Sequence, residues 1–413
     1  MKILVTGSAG FIGHKVAIDF AQSGNEVIGV DYLCNGHATL WQKGRLEASG
    51  ITLMGSESGV DKIYSKTIPN LSLSIVNIEN RKKLERLFAQ ESFDVVIHLA
   101  ARAGVRNSIK APYSYFKSNI EGFVNIIEAC RKHKVRYLFF ASSSSVYGKS
   151  KKLPLEESRC IGDFESYYAL TKAANEMIAK YYAKSYGLCC IGMRFFSVYG
   201  PWGRPDMAPM IFANALYKGM PIRLYDKGEM SRDFTYIDDV TRAINFVVTK
   251  TVKYENLNLD GYYDVFNIGT GKSIKIKAFV SILEKLMCVN TSKRSYPAQK
   301  GDVDKTKASI CKLKEYASYT CDCTIESGLS VFVKWFYQHK EDIVKKVIAD
   351  KFHLGVNSID MDNSFVRDFR ADSLDLLDLV IRIEKHTGKK IPNEKIREIS
   401  TVGDLLKSLE INL

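Results

Sequence analysis

The chain has 413 residues, which is long for one domain, and its content of 46% hydrophobic and 25% charged residues is ordinary for a globular protein. No stretch approaches the roughly 20 consecutive apolar residues of a membrane span, and the N-terminus lacks the apolar region of a signal peptide. We therefore expect two or three domains, no membrane span and a cytoplasmic protein.

Charge and cysteine content exclude further classes. The formal net charge is +13, but the lysines are scattered and no helix-turn-helix, zinc-finger or RNA-binding signature accompanies them. The nine cysteines are an odd number without paired spacing, which is typical of free thiols in a reducing compartment. We expect a solvated basic surface, no nucleic-acid partner and no metal site.

The chain begins with a strand and a glycine-rich turn. Residues 2–6 are mostly apolar, Gly7, Gly10 and Gly13 follow at three-residue spacing, and a helical pattern then continues to Gln22. Glycines let the backbone approach a pyrophosphate, and the free N–H groups at the start of the helix bind its negative charge. The spacing differs from the commoner Gly-x-Gly-x-x-Gly, but it still predicts a dinucleotide-binding turn.

Asp31 is the candidate ribose-binding residue. It ends a second predicted strand, residues 26–30, at the distance of about 20 residues from the turn that a ribose-binding carboxylate requires. Its charge would repel a 2′-phosphate, so NAD is favoured over NADP. The alternative is that Asp31 only caps a loop.

Strands and helices alternate through the first part of the chain, which predicts an α/β fold with a doubly wound parallel sheet. The connection at residues 36–71 is longer than such a fold needs, and residues 55–61 within it are predicted to be an exposed insertion. The predicted strands are residues 2–6, 26–30, 73–77, 94–100, 135–141 and 188–195, and the predicted helices include residues 81–90, 119–133 and 168–186.

A proton-handling site is predicted where the strand at residues 135–141 ends. This strand would deliver a run of serines, residues 142–145, to the carboxyl edge of the sheet, where such folds bind ligands. In a helix that includes residues 166–177, Tyr168 and Lys172 lie on one face, so the ammonium can favour the ionised phenol. The bland alternative is a serine-rich loop before a surface helix.

The Tyr-x-x-x-Lys spacing alone has little weight, because it occurs elsewhere in the chain. Only Tyr168 follows a buried strand at a suitable distance, and this context selects it. The other matches are Tyr113/Lys117, Tyr147/Lys151 and Tyr296/Lys300.

Residues 1–338 resemble the extended short-chain dehydrogenase/reductase family, and specifically its nucleotide-sugar epimerases. The matching motifs occur in order: the glycine turn, Asp31, residues 98–101 (HLAA), Asn119, the serine loop before residues 146–148 (VYG), Tyr168/Lys172, residues 194–201 (RFFSVYGP) and residues 232–239 (RDFTYIDD). The resemblance implies a Rossmann domain with a smaller C-terminal substrate lobe, a nucleoside diphosphate sugar as substrate, and a homodimer.

The same resemblance implies roles for individual residues. The catalytic residues would be Ser143, Tyr168 and Lys172, and Asn77 departs from the family's usual Asp, although an amide can still hydrogen-bond to the adenine. The implied NAD contacts are Gly7, Gly10, Phe11, Ile12, Gly13, Asp31, Asn77, Ile78, Leu99, Ala100, Ala101, Asn119, Tyr168 and Lys172, and the implied substrate contacts are Ser144, Ser197, Arg204, Arg232 and Asp302.

Residues 201–207 (PWGRPDM) narrow the resemblance to UDP-glucuronate 4-epimerases, in which the residues at Arg204 and Ser197 face the C6 carboxylate of the sugar. A guanidinium offers two parallel donors to such a group. The alternative is that Arg204 pairs with Asp206. Dehydratases and decarboxylases of this family carry carboxyl side chains just before the Val-Tyr-Gly motif, where this chain has Ser144 and Ser145.

Residues 341–413 predict a separate all-α helical-bundle domain. They contain 12 Lys and Arg against 14 Asp and Glu, whereas the rest of the chain contains 47 against 32. The sequence around Ser373 (DSLD) resembles the attachment motif of acyl carrier proteins, which implies 4′-phosphopantetheine on Ser373, a phosphopantetheinyl transferase and possibly an acyltransferase as partners. Ser373 as a simple helix cap is the alternative.

Two details of this domain are also expected from its sequence. A stripe of apolar residues on the helix after Ser373 is predicted to be buried and to leave Ser373 outside; it comprises Leu374, Leu377 and Ile381. Arg370 stands where the family commonly has glycine, and Arg382 and Lys385 make the helix less acidic than usual.

The resemblance implies C4 epimerisation of UDP-glucuronate to UDP-galacturonate through a 4-keto intermediate, with NAD as cofactor and a fused carrier domain. Sibling alternatives are an epimerase of UDP-glucose or a UDP-N-acetylhexosamine, or a UDP-glucuronate decarboxylase. An alternative of a different class is a non-catalytic carrier scaffold.

Overall fold

The computed structural model describes residues 1–33, 39–53, 59–150, 152–159, 161–253, 261–299 and 301–410. The chain forms two compact units, which we describe separately. The first contains residues 1–204, 225–277 and 295–323, and the second contains residues 205–224, 278–294 and 324–413.

The first unit is built on a largely parallel sheet. In the described part of the chain, its eight strands are β1 Lys2–Thr6, β2 Glu26–Asp31, β3 Gly59–Tyr64, β4 Leu71–Ile75, β5 Val95–His98, β6 Tyr137–Ser143, β7 Cys189–Phe195 and β12 Tyr263–Ile268. They pair in the order β12-β7-β6-β5-β1-β2-β4-β3, and only the β3–β4 pair is antiparallel. The predicted doubly wound parallel sheet is confirmed.

The central strands β1 and β5–β7 are mostly apolar and are buried almost throughout, as expected of a parallel sheet that helices cover. The α-helices of this unit are α1 Phe11–Gln22, α2 Leu40–Ala48, α3 Arg81–Gln90, α4 Val105–Lys110, α5 Pro112–Tyr115, α6 Gly122–Lys132, α7 Tyr167–Tyr186, α9 Ile237–Lys253 and α11 Cys311–Ala317. A π-helix, Phe116–Glu121, joins α5 to α6.

The long connection after β2 holds α2 and the edge strand β3, neither of which was predicted. The predicted exposed insertion at residues 55–61 falls mainly outside the described residues, and β3 begins within it, at Gly59. Small strand pairs complete the unit: β8 Ser197–Tyr199 runs parallel to β11 Phe234–Tyr236, and β10 Ser231–Arg232 runs antiparallel to β13 Ile274–Lys275.

The second unit is mainly helical. Its helices are α8 Ala208–Tyr217, most of α10 Ile276–Met287, α12 Ile325–Phe352, α13 Ser373–Thr387, α14 Asn393–Ile396 and α15 Val402–Ser408. The strands β9 Ile222–Tyr225 and β14 Lys293–Tyr296 pair nearby, where the Ile222 N–H donates to the Ser292 carbonyl over 2.9 Å. Helix α12 runs without a break through residues 338–341, where the sequence predicts a domain boundary.

The predicted buried stripe on α13 is wrong. Leu374, Leu377 and Ile381 are 76%, 46% and 57% exposed. The buried side chains are Leu379, Val380, Ile383 and Thr387. Helix α13 carries two apolar stripes at helical spacing, and the one that faces α12 and the domain core is the second.

None of the helices in the described ranges is long and apolar enough to cross a membrane.

Candidate active site

The glycine turn has no room for side chains. A Cβ on Gly7, whose φ is +75°, would lie 2.8 Å from the Ala100 nitrogen, and a Cβ on Gly13 would lie 2.1 Å from the Gly7 oxygen. Gly10 caps α1 without a side-chain hydrogen bond, so the N–H groups that begin the helix at Phe11 have no side-chain acceptor there. These are the features that a pyrophosphate requires of such a turn.

Asp31 lies beside this turn at the end of β2. Its carboxylate accepts hydrogen bonds from the backbone nitrogens of Ala9 and Tyr32, each over 2.8 Å. Burial raises the pKa of Asp31, while these N–H groups and the Arg45 guanidinium oppose that shift. The carboxylate is therefore fixed at the edge of the sheet, as the NAD prediction requires.

The loop after β5 carries Leu99, Ala100 and Ala101 and is fixed by two contacts. The Ala100 nitrogen donates to the Thr6 hydroxyl over 3.2 Å, which ties the loop to β1. Buried Asn119 accepts from the Arg102 nitrogen over 2.8 Å and donates to the Thr171 hydroxyl of α7 over 3.1 Å. Asn119 thus connects the predicted cofactor loop to the helix that carries the predicted base.

Asn77 and Ile78 follow β4 at the same edge of the sheet. The Asn77 side-chain oxygen accepts from the Glu79 nitrogen over 2.9 Å. Ile78 is buried against Gly122, and a Cβ added to Gly122 would lie 2.7 Å from the Ile78 side chain. On the first turn of α1, Phe11 is buried and Ile12 is half-buried. All the predicted NAD contacts therefore lie at or near the carboxyl ends of the parallel strands.

Tyr168 and Ser143 meet as predicted. Helix α7 begins at Tyr167, and its cap, Ser166, accepts from the Ala169 nitrogen over 3.1 Å. Half-buried Tyr168 lies in the first turn of α7, and the Ser143 hydroxyl at the end of β6 is near enough to its phenol to lower its pKa.

Electrostatics at the phenol differ in one respect from the expectation. Burial raises the pKa of Tyr168, and the groups that oppose this shift are the Ser143 hydroxyl and the Arg204 guanidinium. Lys172, only 2% exposed, donates instead to the Ala141 carbonyl over 2.8 Å. Burial lowers the pKa of Lys172 to about 8, while the nearby Glu176 carboxylate raises it.

Tyr113/Lys117, the competing pair for which both residues are described, lies at the surface. Tyr113 is 69% exposed, and the Lys117 ammonium lies 5.2 Å from the centre of its ring. The partners of Tyr147 and Tyr296 in the other two pairs, Lys151 and Lys300, lie outside the described residues.

The serine loop forms a short 3₁₀ helix, Ser144–Tyr147. The Ser143 hydroxyl accepts from the backbone nitrogen and the hydroxyl of Ser145, over 3.2 and 2.9 Å. Ser144 and Ser145 thus place hydroxyls where the resembling dehydratases and decarboxylases have carboxyl groups.

Arg204, a predicted substrate contact, lies beside the loop that follows β5. Its Nη2 donates to the Ala103 carbonyl over 3.3 Å, and a Cβ on Gly104 would lie 3.5 Å from that nitrogen. Because Arg204 also acts electrostatically on Tyr168, the guanidinium and the phenol border the same region. Half-buried Ser197 lies on β8, where its nitrogen donates to the Asp233 carbonyl over 3.0 Å.

Arg232 and Asp302, two of the predicted substrate contacts, lie close together, and Asp302 has a partner that sequence reasoning missed. Arg232 donates to the Ser231 carbonyl over 2.9 Å, and the charge of Asp302 acts on its guanidinium. Asp302 also pairs with Arg106 of α4 over 3.1 Å. The position of Arg106, two residues after Gly104 in the loop that follows β5, was a usable signal.

A second missed feature is the buried ion pair of Glu176 and Arg194. Arg194 is a charged residue within the otherwise apolar strand β7, and such a residue is rarely buried without a partner. Glu176 follows Lys172 by four residues, on the same helix face.

Ser373 lies at the exposed start of α13 and does not cap it. The cap is Asp372, whose side chain accepts from the Asp375 nitrogen over 2.8 Å, while the Asp375 carboxylate accepts from the Asp372 nitrogen over 3.3 Å. The alternative interpretation of Ser373 as the helix cap is therefore wrong. Arg370 has a φ of +55°, which is the left-handed conformation that explains the common glycine there.

Comparison with known families agrees with this geometry. A profile of the NAD dependent epimerase/dehydratase family matches residues 3–269. The chain belongs to this family. A phosphopantetheine attachment domain matches residues 342–409, so the chain joins an epimerase-family enzyme to a carrier domain.

Individual relatives cover most of the chain. Protein CapI of Staphylococcus aureus is 37% identical over 349 residues, which are 82% of this chain and 99% of that protein. UDP-glucuronate 4-epimerase 2 of Arabidopsis thaliana is 36% identical over 361 residues, which are 84% of this chain and 79% of that protein.

Solved structures show the same architecture. A mutant UDP-glucuronic acid 4-epimerase of Bacillus cereus, in complex with UDP-4-deoxy-4-fluoro-glucuronic acid and NAD, has a TM-score of 0.71 at 28% identity and covers 82% of this chain and 100% of its own. A UDP-glucose 4-epimerase of Thermotoga maritima has a TM-score of 0.69 at 29% identity, with 82% and 99% covered.

The cofactor of this epimerase-family chain is NAD. The residues present suit it, because the turn excludes side chains at Gly7 and Gly13, and Asp31 holds a carboxylate beside that turn. The carrier domain bears phosphopantetheine on a serine.

Proposed function

We propose that this chain interconverts UDP-glucuronate and UDP-galacturonate at C4. The observation that carries the proposal is the position of Arg204, which borders the region of the Tyr168 phenol and influences its pKa. A guanidinium beside the proposed base suits a sugar that carries a carboxylate near its reacting carbon. The named activities of relatives such as the Arabidopsis enzyme support this choice.

In the proposed mechanism Tyr168 accepts the proton of the C4 hydroxyl, and the Ser143 hydroxyl and Arg204 guanidinium, which lower the pKa of its phenol, favour the ionised form. Ser143 hydrogen-bonds to the same sugar oxygen, and Lys172, one helical turn after Tyr168, is held by the Ala141 carbonyl. The chemistry supplied by bound NAD is reversible hydride transfer at C4, so no added reductant is needed. Gly7, Gly10, Gly13 and Asp31 would hold that cofactor.

Inversion requires the flat 4-keto sugar to turn over in the pocket and receive the proton from Tyr168 again. With a uronic acid this intermediate is a β-keto acid, which can lose carbon dioxide. Arg204 would hold the carboxylate away from the geometry that favours the loss. Ser144 and Ser145 leave the loop without the carboxyl side chain that the resembling decarboxylases carry there.

The test is to incubate the purified full chain with UDP-glucuronate, without added NADH, and to separate the products chromatographically. We expect UDP-galacturonate to form, with no UDP-pentose. Conversion of only UDP-glucose or its N-acetyl derivative would contradict the assignment of Arg204, and formation of a UDP-pentose would identify a decarboxylase.

We also propose that Ser373 is the phosphopantetheine attachment site. It is exposed at the N-terminus of α13, where Asp372 and not Ser373 provides the cap, so its hydroxyl is open to a modifying enzyme. A phosphopantetheinyl transferase is then a required partner, and an acyltransferase that loads or unloads the arm is a further one.

Intact mass spectrometry tests this site. Co-expression with a phosphopantetheinyl transferase should raise the mass by about 340 Da, the expected mass of the added group. The Ser373→Ala chain should show no gain, whereas a gain in that variant would place the arm on another residue.

Finally, we propose that the chain is a homodimer. Helix α7 packs against the short helices that precede it, and both carry exposed apolar side chains. These side chains are Leu170, Met177 and Tyr181 on α7, and Tyr113 and Phe116 on the preceding helices. Light scattering should give about twice the chain mass of 46.6 kDa. Met177→Glu should reduce this to the mass of one chain, and a monomeric unmodified chain would contradict the proposal.

A further inference from the structure

An ion pair lies buried near the proposed catalytic lysine. The Glu176 carboxylate accepts two hydrogen bonds from the Arg194 guanidinium, over 2.8 Å at Nε and 2.7 Å at Nη2. Both side chains are almost completely buried. A buried pair of this kind is costly to desolvate, and further hydrogen bonds can offset that cost.

The pair is the centre of a network that reaches the serine loop. The Ser142 hydroxyl donates to Glu176 over 2.5 Å, and Arg194 donates to the Tyr147 hydroxyl over 2.9 Å. Tyr147 in turn donates to the Asn267 side chain over 2.7 Å. The network therefore holds both ends of the segment that contains Ser143.

Strand geometry connects this network to the orientation of Ser143. Ser142 is opposite Arg194 in the β6–β7 register, and successive side chains of a strand point to opposite faces. Ser142 and Arg194 therefore project from the same face of the sheet, toward Glu176 of α7. Because the network holds Ser142 and Tyr147, it fixes the chain on both sides of Ser143, which lies near Tyr168.

The titratable groups around Lys172 come from three elements. Glu176 is on its own helix, together with Tyr168, and Arg194 lies on β7. His98 of β5 also interacts with Lys172 electrostatically, but burial lowers the pKa of His98 to about 3, so this histidine is neutral at physiological pH. Glu176 is the anion of the set.

We infer that Glu176 is a positioning residue that keeps Lys172 protonated and Ser143 aimed at Tyr168. The inference rests on the proposed function, because it assigns Glu176 a role through the proposed proton-handling residues. Arg194 holds the carboxylate in place through two hydrogen bonds. The electrostatic influence of Glu176 on the pKa of Lys172, which burial otherwise lowers, supports this role.

The sign of the effect follows from the charges. Glu176→Gln keeps the side-chain shape but removes the anion that stabilises the ammonium, so the pKa of Lys172 must fall. Lys172 then loses its proton at a lower pH than in the unmodified chain. The alkaline limb of the pH–rate profile should move to lower pH by on the order of one unit or more, with a smaller change in activity near pH 6.

A direct titration does not depend on activity. In the chain labelled with ¹³C at the lysine ε carbons, and without substrate, the Lys172 signal is identified by its absence from Lys172→Met. We expect it to titrate at a lower pH in Glu176→Gln than in the unmodified chain. Glu128→Gln, which breaks a surface ion pair with Arg131, is the matched control and should leave the titration unchanged.

Two further variants separate positioning from folding. Glu176→Asp retains the negative charge, so the pH at which Lys172 titrates should stay close to that of the unmodified chain. Glu176→Gln combined with Arg194→Gln removes the whole pair, so no charge is left buried without a partner, and it should recover thermal stability while the Lys172 shift persists.

The outcomes are distinct from those of the proposed function. An unmodified chain without epimerase activity contradicts the proposed function, yet the titration still reports on Glu176. If Glu176→Gln folds and Lys172 titrates as before, the inference is wrong. It is also wrong if the double variant recovers both stability and the original titration, because Glu176 would then serve only to pair with Arg194.

Discussion

Helices α7 and α13 are built alike but are used in opposite ways. Each begins with a side-chain cap, Ser166 or Asp372, and each ends at a glycine in the left-handed conformation, Gly187 or Gly388. Each also carries its proposed functional residue in the first turn. On α7 the proposed catalytic face lies beside β6, with Lys172 buried and Tyr168 half-buried, whereas on α13 the serine and the adjacent apolar stripe face solvent.

The difference follows from what each site must do. Proton transfer at C4 needs fixed groups with shifted pKa values, and burial supplies both around Tyr168 and Lys172. Attachment of a phosphopantetheine arm needs access for another enzyme, so Ser373 must remain outside. The same local sequence signals therefore predict where a helix starts, but not which of its faces is covered.

The largest effect is expected at the buried site. Tyr168→Phe removes the acid–base oxygen and retains the ring, so turnover should fall by roughly 10²–10⁴-fold while substrate binding persists. Steady-state kinetics with UDP-glucuronate measure this. Tyr113→Phe, at the exposed pair, is the matched control and should remain active; loss of activity in that variant instead would show that the wrong pair was chosen.

On α13 the free energy of unfolding tests which of the two apolar stripes is buried. Leu379→Ala deletes a fully buried side chain and should cost about 2–5 kcal/mol of unfolding free energy, whereas Leu377→Ala, at the exposed stripe, should change it by less than about 0.5 kcal/mol. Chemical denaturation that follows the carrier domain measures both. Equal losses would restore the original prediction that Leu377 is buried.

Arg204→Leu should cost about 1.5–3 kcal/mol in transition-state binding of UDP-glucuronate, the range for a hydrogen bond to a charged group. The value is obtained from kcat/KM. The control is the substrate: with UDP-glucose, which lacks the carboxylate, the variant should lose far less. The same loss with both sugars would mean that Arg204 supports the fold and not recognition of the carboxylate.

Sequence reasoning succeeded for features that local sterics and periodicity determine. The glycine turn and the bounds of α3 were predicted correctly, and Tyr168 lies beside Ser143 as expected. These features depend on local sterics and helix periodicity, which a sequence displays directly.

The failures concern information that the local sequence does not contain. The apolar residues of α13 form two stripes, and only packing against α12 decides that Leu379 rather than Leu377 is buried. The pairing of Glu176 with Arg194 joins residues of different elements, so neither segment alone indicates it.

The smallest effect is expected just before α13, where Arg370 adopts a φ of +55°. The left-handed conformation costs an ordinary L-residue about 1–2 kcal/mol, while glycine loses about 0.5–1 kcal/mol in additional chain entropy on folding. Arg370→Gly should therefore stabilise the carrier domain by up to about 1 kcal/mol.

Gly187→Ala at the end of α7 is the opposite change: φ is +74° and the added Cβ meets no atom within 4 Å, so only backbone strain acts. We expect it to destabilise by about 1 kcal/mol. Denaturation curves for the two variants should thus move in opposite directions, and a loss of stability in Arg370→Gly would mean that the arginine side chain contributes more than its backbone strain costs.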